Sequence, residues 1–237
     1  MNIAIVGTDT EVGKTVINAI IGLQAQCKGI NYLPYKPIET GCCDGDIGED
    51  LKFLINMYGR NAMQGNSIDR NSLQLYSYSY PCAPGLAAKF DKAIQPDLQA
   101  VIKQARQLQS VAPVIFEGCG GLMVPINDKN ETVLDIVKSL NYEVVVVGRS
   151  SLGTINHTAM TIKILQEHNL RIKGFILNDG GGDNIDNKII EDNISSIKLM
   201  CGVQFLGQVG QISSLLNNQD DTTLRQDLLS VNMLNVI

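Results

Sequence analysis

The chain has no tryptophan, two histidines and five phenylalanines among its 237 residues. With so few histidines, and six cysteines (27, 42, 43, 82, 119 and 201) that form no C-x-x-C pair, no zinc-ligand pattern can be assembled. Adjacent Cys42 and Cys43 are poorly placed to bridge each other without strain. A reduced, cytoplasmic protein is therefore expected. Long apolar runs are also missing. The longest, such as Val144–Val147, are strand-sized, far below the roughly 18 residues that span a bilayer. The start, MNIAIVGTDTEVGKT, has neither a basic opening nor a small-residue cleavage site, so it is not read as an export signal. Positive charge is not in excess. Nineteen Lys+Arg stand against 24 Asp+Glu, a net charge of −5, which argues against a chain that coats nucleic acid or an anionic membrane. No Pro- or Ser-rich linker, repeat or low-complexity tract divides residues 1–237, so a single domain is expected.

What is present suits a large buried core: 44% of residues are hydrophobic and 18% charged. Strand-like runs occupy Asn2–Gly7, Asn31–Lys36, Pro113–Glu117, Glu143–Gly148, Lys173–Asn178 and Val203–Val209. Several are apolar at consecutive positions, as strands covered on both faces of a parallel sheet are. Helical patterns lie between and after them, over Thr15–Cys27, Glu49–Tyr58, Asp97–Leu108, Thr132–Leu140, Asn156–His168, Asp186–Met200 and Thr222–Met233. Pro96-Asp97 supplies a start signal for the third of these. The alternation predicts an α/β fold: one doubly wound, mainly parallel sheet with helices on both faces. Gly59–Lys89 and the glycine-rich Asp179–Asp183 read as irregular. Open sheets of this kind hold ligands at the carboxyl ends of their strands, so the loops there are the places to search.

The loop after the first strand reads Gly7-Thr-Asp-Thr-Glu-Val-Gly13-Lys14-Thr15 and runs straight into a helical pattern. A phosphate needs converging backbone N–H groups and favours the positive end of a helix dipole. Lys14 would reach the β- and γ-phosphates, and the Thr15 hydroxyl would bind Mg²⁺. The spacing is one residue longer than G-x-x-x-x-G-K-[ST], so this is a variant phosphate loop. A surface turn that happens to contain Gly-Lys-Thr is the competing reading, and the strand–loop–helix context disfavours it.

Mg²⁺ asks for few protein oxygens. Asp50, opening the helix after the second strand, and Glu117, ending the apolar run PVIF, are the candidates. Desolvating a strand-end carboxylate is costly unless a cation or donors meet it; a capping role is the alternative for Glu117. Asp44, Asp46 and Glu49 compete with Asp50, because acidic residues at a helix start often serve only the dipole. Lys36 ends the second strand before Pro37, which restricts the local backbone and helps aim it at the same crevice as Lys14. A solvated strand-end lysine is the alternative. Three glycines among Glu117-Gly118-Cys119-Gly120-Gly121 let backbone approach a ligand closely. Cys119 reads as a small buried residue rather than a nucleophile, since no histidine is near in sequence.

Taken together, GTDTEVGKT, YKPIETG, an acidic helix start at Asp50, FEGCGGLMVPI, LGTINH and ILND resemble the dethiobiotin synthetase family of biotin biosynthesis. The blocks keep the family's order across residues 7–179, and the family shares the variant loop spacing. The resemblance implies a phosphate-loop fold and an ATP-dependent ligase that makes a cyclic urea from 7,8-diaminononanoate and CO₂ or bicarbonate. A carbamate on one amine, a carbamic–phosphoric mixed anhydride and closure by the second amine are the implied steps. Glu11, Val12, Gly13, Lys14, Thr15 and Val16 would cradle ATP, together with Glu117, Gly118, Cys119 and Gly120. Asn178 would read adenine, accompanied by Asp179. Thr15, Asp50 and Glu117 would hold Mg²⁺. Lys36 and Lys14 would be catalytic, and Thr40, Gly118, Gly153 and Asn156 would contact substrate. LGTINH resembles the part that meets the neighbouring subunit's substrate, implying a homodimer and an interfacial or structural His157. Two departures stand out. PCAPG replaces the P-x-A-P-H frequent in the family, and Leu206-Gly-Gln-Val209-Gly210-Gln211 lacks its Ile-Pro step.

The loop also resembles that of septum-positioning and partition ATPases, which switch by nucleotide-controlled dimerisation. Those typically carry a second lysine near the loop's start, and Thr8–Val12 contains none. A catalytically silent nucleotide-binding module is a third reading, disfavoured by Lys14, Thr15, Lys36 and Glu117 together.

Overall fold

Alternate residues of the first apolar run face different cores, and that alternation sets the layout. In the computed structural model, which describes residues 1–42, 47–59, 69–179, 185–216, 220–233 and 236, strand β1 (Ile3–Gly7) is buried at every position. Its Ile3 and Ile5 join one apolar cluster, while Ala4 and Val6 join the other, since successive strand side chains point to opposite faces. The VVVV run of β6 (Glu143–Arg149) divides the same way, Val144 and Val146 against Val145 and Val147.

With β2 (Leu33–Tyr35), β5 (Val114–Gly121), β7 (Ile172–Asn178) and β8 (Phe205–Val209), these strands form a six-stranded sheet in the order β2-β5-β1-β6-β7-β8. Every neighbouring pair in it is parallel. On one face, α1 (Lys14–Cys27), α2 (Glu49–Tyr58) and α8 (Asp221–Ser230) bring Ile17, Leu54 and Leu224 onto Ile3 and Ile5. On the other, α4 (Leu98–Gln109), α5 (Val133–Leu140), α6 (Thr154–Glu167) and α7 (Asn187–Cys201) bring in Val101, Val137, Ile162 and Ile197. This is the doubly wound α/β arrangement expected. All six strand-like runs and all seven helical patterns recur, with ends moved by a few residues. Among the described residues no helix is long and apolar enough to cross a membrane.

Two expectations are corrected. The Gly59–Lys89 stretch is not irregular throughout: it contains a 3₁₀ turn at Arg70–Ser72, strand β4 (Tyr76–Tyr78) and helix α3 (Pro84–Phe90). Strand β4 pairs in parallel with β3 (Ile38–Thr40), a second small sheet seeded where the N–H groups of Leu75 and Tyr76 both donate to the Pro37 carbonyl at 2.9 Å. The alternating stretch Leu73–Tyr80 holds β4, whereas the three residues of β3 carry too little periodicity to mark a strand. The second correction concerns the end of the third strand-like run, which does not stop at Glu117: Gly118–Gly121 continue β5, with Gly121 paired to Gly7. Cys43, Asp44, Asp46 and the 180–183 part of the glycine-rich connection lie outside the described residues. The start signal at Pro96-Asp97 is realised, as Asp97 accepts from the Ala100 N–H at 2.8 Å.

At one point α2 lays the Tyr58 ring directly on the backbone of α1. A Cβ on Gly22 would lie 1.6 Å from a ring carbon of Tyr58. Gly22→Ala should therefore destabilise despite its gain in helix propensity. The propensity gain is about 1 kcal/mol, and overpacking of this kind costs about 1–3 kcal/mol or more. A lower urea midpoint at unchanged slope is the expected result; a raised midpoint would mean that the α1–α2 contact yields freely.

Candidate active site

The loop from Gly7 to Thr15 depends on glycine at both ends. A Cβ on Gly7 would stand 2.9 Å from the Lys14 Nζ, which donates to the Asp9 carbonyl at 3.0 Å; without one, Lys14 folds back over the loop. Gly13 has φ +90°, and a Cβ there would lie 2.0 Å from the Asn178 amide nitrogen. That nitrogen donates to the Val12 carbonyl at 3.0 Å, so the end of β7 braces the loop. Glu11 is held at φ 57°, a conformation unusual for a side-chain-bearing residue and common where a loop is shaped for a ligand. Gly13 is also the N-cap of α1 and has no side chain to satisfy the first-turn N–H groups, which leaves them suited to an anion.

A network of charges sits beside this loop. Lys36 Nζ lies 2.7 Å from Glu117 Oε1 and 2.7 Å from Asp50 Oδ2. The Thr15 hydroxyl donates to the same Glu117 oxygen at 2.8 Å and lies close enough to Asp50 to offer its one proton there instead. The other oxygen of Glu117 accepts from Asn18 Nδ2 at 2.9 Å, and Asn18 Oδ1 accepts from the Tyr58 hydroxyl at 2.6 Å. Glu117 is buried; Asp50 is half-exposed. Burial works against the Lys36 ammonium, yet the carboxylates of Glu117, Asp50 and Glu39 prevail and hold its pKa above the ordinary lysine value. Lys14 is shifted the other way, lowered by burial and then by the charge on Lys36. An anion arriving at the loop would relieve that strain. Burial similarly tends to raise the Asp50 carboxyl, but Lys36 outweighs it and keeps Asp50 below the usual carboxylate range.

Thr15, Asp50 and Glu117 thus converge as one hydroxyl and two carboxylates, a donor set that suits Mg²⁺, which keeps several waters. Among the described residues no cluster of three His, Cys, Asp or Glu side chains forms a fuller cage. Cys119 is partly buried, not fully so, and burial pushes its thiol pKa up, the wrong direction for a nucleophile.

Next to the charges opens a cavity of about 500 Å³. Glu11, Val12, Gly13, Val16, Asn178 and Asp179 line it, joined by Arg149 at the end of β6, by Ser150 and Ser151 just beyond it, and by Gln211, Ile212 and Leu215. Its lining mixes polar loop groups with the apolar Val16, Ile212 and Leu215, a combination that suits a nucleotide.

An AAA domain family model matches residues 1–219. The ATP-dependent dethiobiotin synthetase BioD of Lysinibacillus sphaericus is 36% identical over 81% of this chain and 80% of its own length. The chain belongs to the dethiobiotin synthetase family. The BioD of Anoxybacillus flavithermus is 32% identical over 91% of this chain and 94% of its own length. The dethiobiotin synthetase relatives are named for an ATP-dependent activity, and the chain is accordingly an ATP-dependent ligase of biotin synthesis. Among solved structures, the septum site-determining protein MinD of Pyrococcus horikoshii, complexed with Mg-ADP, covers 96% of this chain and 92% of its own, with TM-score 0.55 and 15% identity. A cell division MinD of Aquifex aeolicus gives TM-score 0.54 at 12% identity. At such identities these likenesses establish the phosphate-loop fold alone.

For a dethiobiotin synthetase, the remaining expected residues are spread more widely. Gly118 is buried in β5, where a Cβ would press on Val133 at 2.8 Å, and Gly120 adopts φ +63° facing Val124. Thr40 ends β3, half-buried. Gly153 and Asn156 stand on the exposed first turn of α6 with His157, and they are not among the residues lining the cavity. The PCAPG departure has a local cause: Gly85 packs so tightly that a Cβ would meet the Asn127 backbone at 3.1 Å, so a larger residue would force that loop to shift.

Four residues of the site escaped the sequence reading. Asn18 was detectable in principle as a polar residue within VINAII, one turn from Thr15 on the same helix face. Glu39, Gln74 and Arg149 carried no such signal. Arg149 Nη2 donates to the Thr10 carbonyl at 3.1 Å and so ties β6 to the phosphate loop.

Proposed function

We propose that the chain couples ATP cleavage to carboxylation and ring closure of 7,8-diaminononanoate, giving dethiobiotin through a carbamate and a carbamic–phosphoric mixed anhydride. The observation that carries this reading is the position of Lys36, a buried ammonium between Asp50 and Glu117 beside Lys14 and Thr15. Carbamate and γ-phosphate are both anionic and repel each other strongly at reacting distance unless cations intervene. A site for this reaction needs positive charge fixed in advance at the point of attack.

Lys14 would rest on the transferred phosphoryl group, exchanging the Asp9 carbonyl for a phosphate oxygen. Lys36 would stabilise the carbamate and the charge developing on it. Thr15, Asp50 and Glu117 would hold Mg²⁺, which when bound neutralises phosphate charge and orients the triphosphate. Charge balance supports such an ion: Glu39, Asp50 and Glu117 surround Lys36, and with Lys14 nearby the cluster carries more negative than positive charge. With that excess charge met, Lys36 would turn from its carboxylate partners to the carbamate. Backbone N–H groups from Glu11 to Val16 would cradle the phosphates. Glu117 to Gly120 would border the nucleotide, and Asn178 with Asp179 would face the base in the neighbouring cavity.

Thr40 and Gly118 would contact the diamine. Holding its second amine next to the activated carbonyl gives ring closure the advantage of an intramolecular reaction. Gly153 and Asn156, exposed at the start of α6, would meet substrate across a homodimer interface. The reading extends to one phosphate-loop domain over residues 1–237 in a cytoplasmic enzyme, with no nucleic-acid or membrane partner.

The test is incubation of the protein with ATP, Mg²⁺, bicarbonate and 7,8-diaminononanoate, with mass detection of dethiobiotin. Product should form together with ADP and phosphate, and only when the diamine is present. ATP hydrolysis that ignores the diamine and yields no ureido product would replace this reading with that of a nucleotide switch.

A further inference from the structure

Helix α2 carries Asp50 but cannot cap itself. Its N-cap is Gly48, which has no side chain to accept from the first-turn N–H groups. One first-turn N–H and the N–H of the cap residue itself are nevertheless met from outside the helix. Glu39 Oε1 accepts from the Asp50 N–H at 2.9 Å, and Gln74 Oε1 accepts from the Gly48 N–H at 2.8 Å. The two caps are joined to each other, since Gln74 Nε2 donates to Glu39 Oε2 at 2.8 Å. Both side chains are buried. Gly48 is required for the approach: a Cβ there would fall 1.9 Å from the Glu39 carboxyl carbon.

The small sheet explains how the pair is assembled. The Lys36 N–H donates to the Leu73 carbonyl at 3.0 Å, and Ile38 pairs with Tyr76, so residues 73–76 run alongside 36–40. This holds Glu39 and Gln74 side by side beneath the start of α2. We propose that Glu39, braced by Gln74, is a positioning residue that fixes the first turn of α2 and thereby holds the Asp50 carboxylate at the Lys36–Thr15–Glu117 cluster. Glu39 does not act as a metal ligand itself, because both its oxygens are turned to the helix start and to Gln74. The inference rests on the reading of Asp50 as a Mg²⁺ ligand, and the experiment separates the two.

Mn²⁺ serves as a spectroscopic substitute for Mg²⁺, titrated by electron paramagnetic resonance into the full-length protein with ADP. Asp50→Asn, Glu39→Ala, Glu39→Gln and Gln74→Ala are compared with the parent chain, with hydrogen exchange at the first turn of α2 and thermal melting alongside. Glu39→Ala and Gln74→Ala should each weaken Mn²⁺ binding by roughly tenfold, the usual effect of losing a group that orients a ligand. Both should speed exchange of the Gly48 and Asp50 amides while leaving ADP affinity without metal unchanged. Glu39→Gln keeps an acceptor for the Asp50 N–H and should fall between the parent and Glu39→Ala. Unchanged Mn²⁺ affinity in Asp50→Asn would overturn the ligand reading itself. Loss in Asp50→Asn with none in Gln74→Ala would overturn the positioning role alone, and so would equal loss in Glu39→Gln and Glu39→Ala, which would point to charge on Lys36 instead. If Glu39→Ala fails to fold, Gln74→Ala, which leaves the carboxylate in place, decides the matter.

Discussion

Lys36→Ala should lower dethiobiotin formation by about a thousandfold, the upper range for removing one preorganised charge stabiliser from a buried site. Lys36 is almost fully buried and sits 2.7 Å from each of two carboxylates, so its ammonium is fixed before substrate arrives. The fall should appear in kcat, with a smaller change in the KM for ATP, because Lys14 and the loop N–H groups remain. The variant also leaves the Glu117 carboxylate buried without its cation. Breaking a buried pair this way costs about 3–5 kcal/mol, so the melting temperature should drop as well. Mg²⁺ should recover more of that loss than it adds to the parent protein, since the ion would then be the remaining neutraliser of Glu117 and Asp50. Lys36→Met separates the two effects by keeping the apolar stem while removing the charge. A Lys36→Met protein that folds and closes the ureido ring at near-parent rates would remove Lys36 from the mechanism.

The division between what sequence reveals and what it conceals follows chain distance. The phosphate loop was legible because strand, loop and helix are contiguous, and Gly7, Gly13, Lys14 and Thr15 act within nine residues of one another. The sheet was legible because runs such as Val144–Val147 are buried on both faces, so apolarity alone marks them. Lys36 and Glu117 could be placed at strand ends and hence at one edge of the sheet, although their direct pairing spans 81 residues. The groups that hold them were hidden. Asn18 reaches Glu117 across 99 residues, and Gln74 reaches Glu39 across 35. Neither pairing has a local pattern, because each depends on how close two elements pack. The short β3–β4 sheet is hidden for a related reason: Leu73–Tyr80 alternates around β4, but the three residues of β3 carry no pattern that names it as the partner. Gly118–Gly121 work in the opposite direction: three glycines hide the last residues of a strand that runs on past Glu117 against Gly7.

Glu117→Gln and Glu117→Ala should part company, and the difference distinguishes a metal ligand from a structural cap. In the parent chain Glu117 Oε1 takes donors from Thr15 and Lys36, and Oε2 takes one from Asn18. Glutamine can keep the first pair through its amide oxygen. Its amide nitrogen then faces Asn18 Nδ2, a donor opposing a donor, which Asn18 can relieve by rotating its amide because the Tyr58 hydroxyl partner can also accept. The fold of Glu117→Gln should therefore survive with a shift of a few degrees in melting temperature. Its Mn²⁺ affinity should fall by about tenfold to a hundredfold and its turnover with it. Glu117→Ala offers no such compensation. It strands the Asn18 amide and deprives the buried Lys36 of one of its two carboxylate partners, and a loss of about 3 kcal/mol or more is expected. Unfolding of Glu117→Gln as severe as that of Glu117→Ala would show that the carboxylate mainly holds α1 against β5, and the divalent ion would then need another ligand.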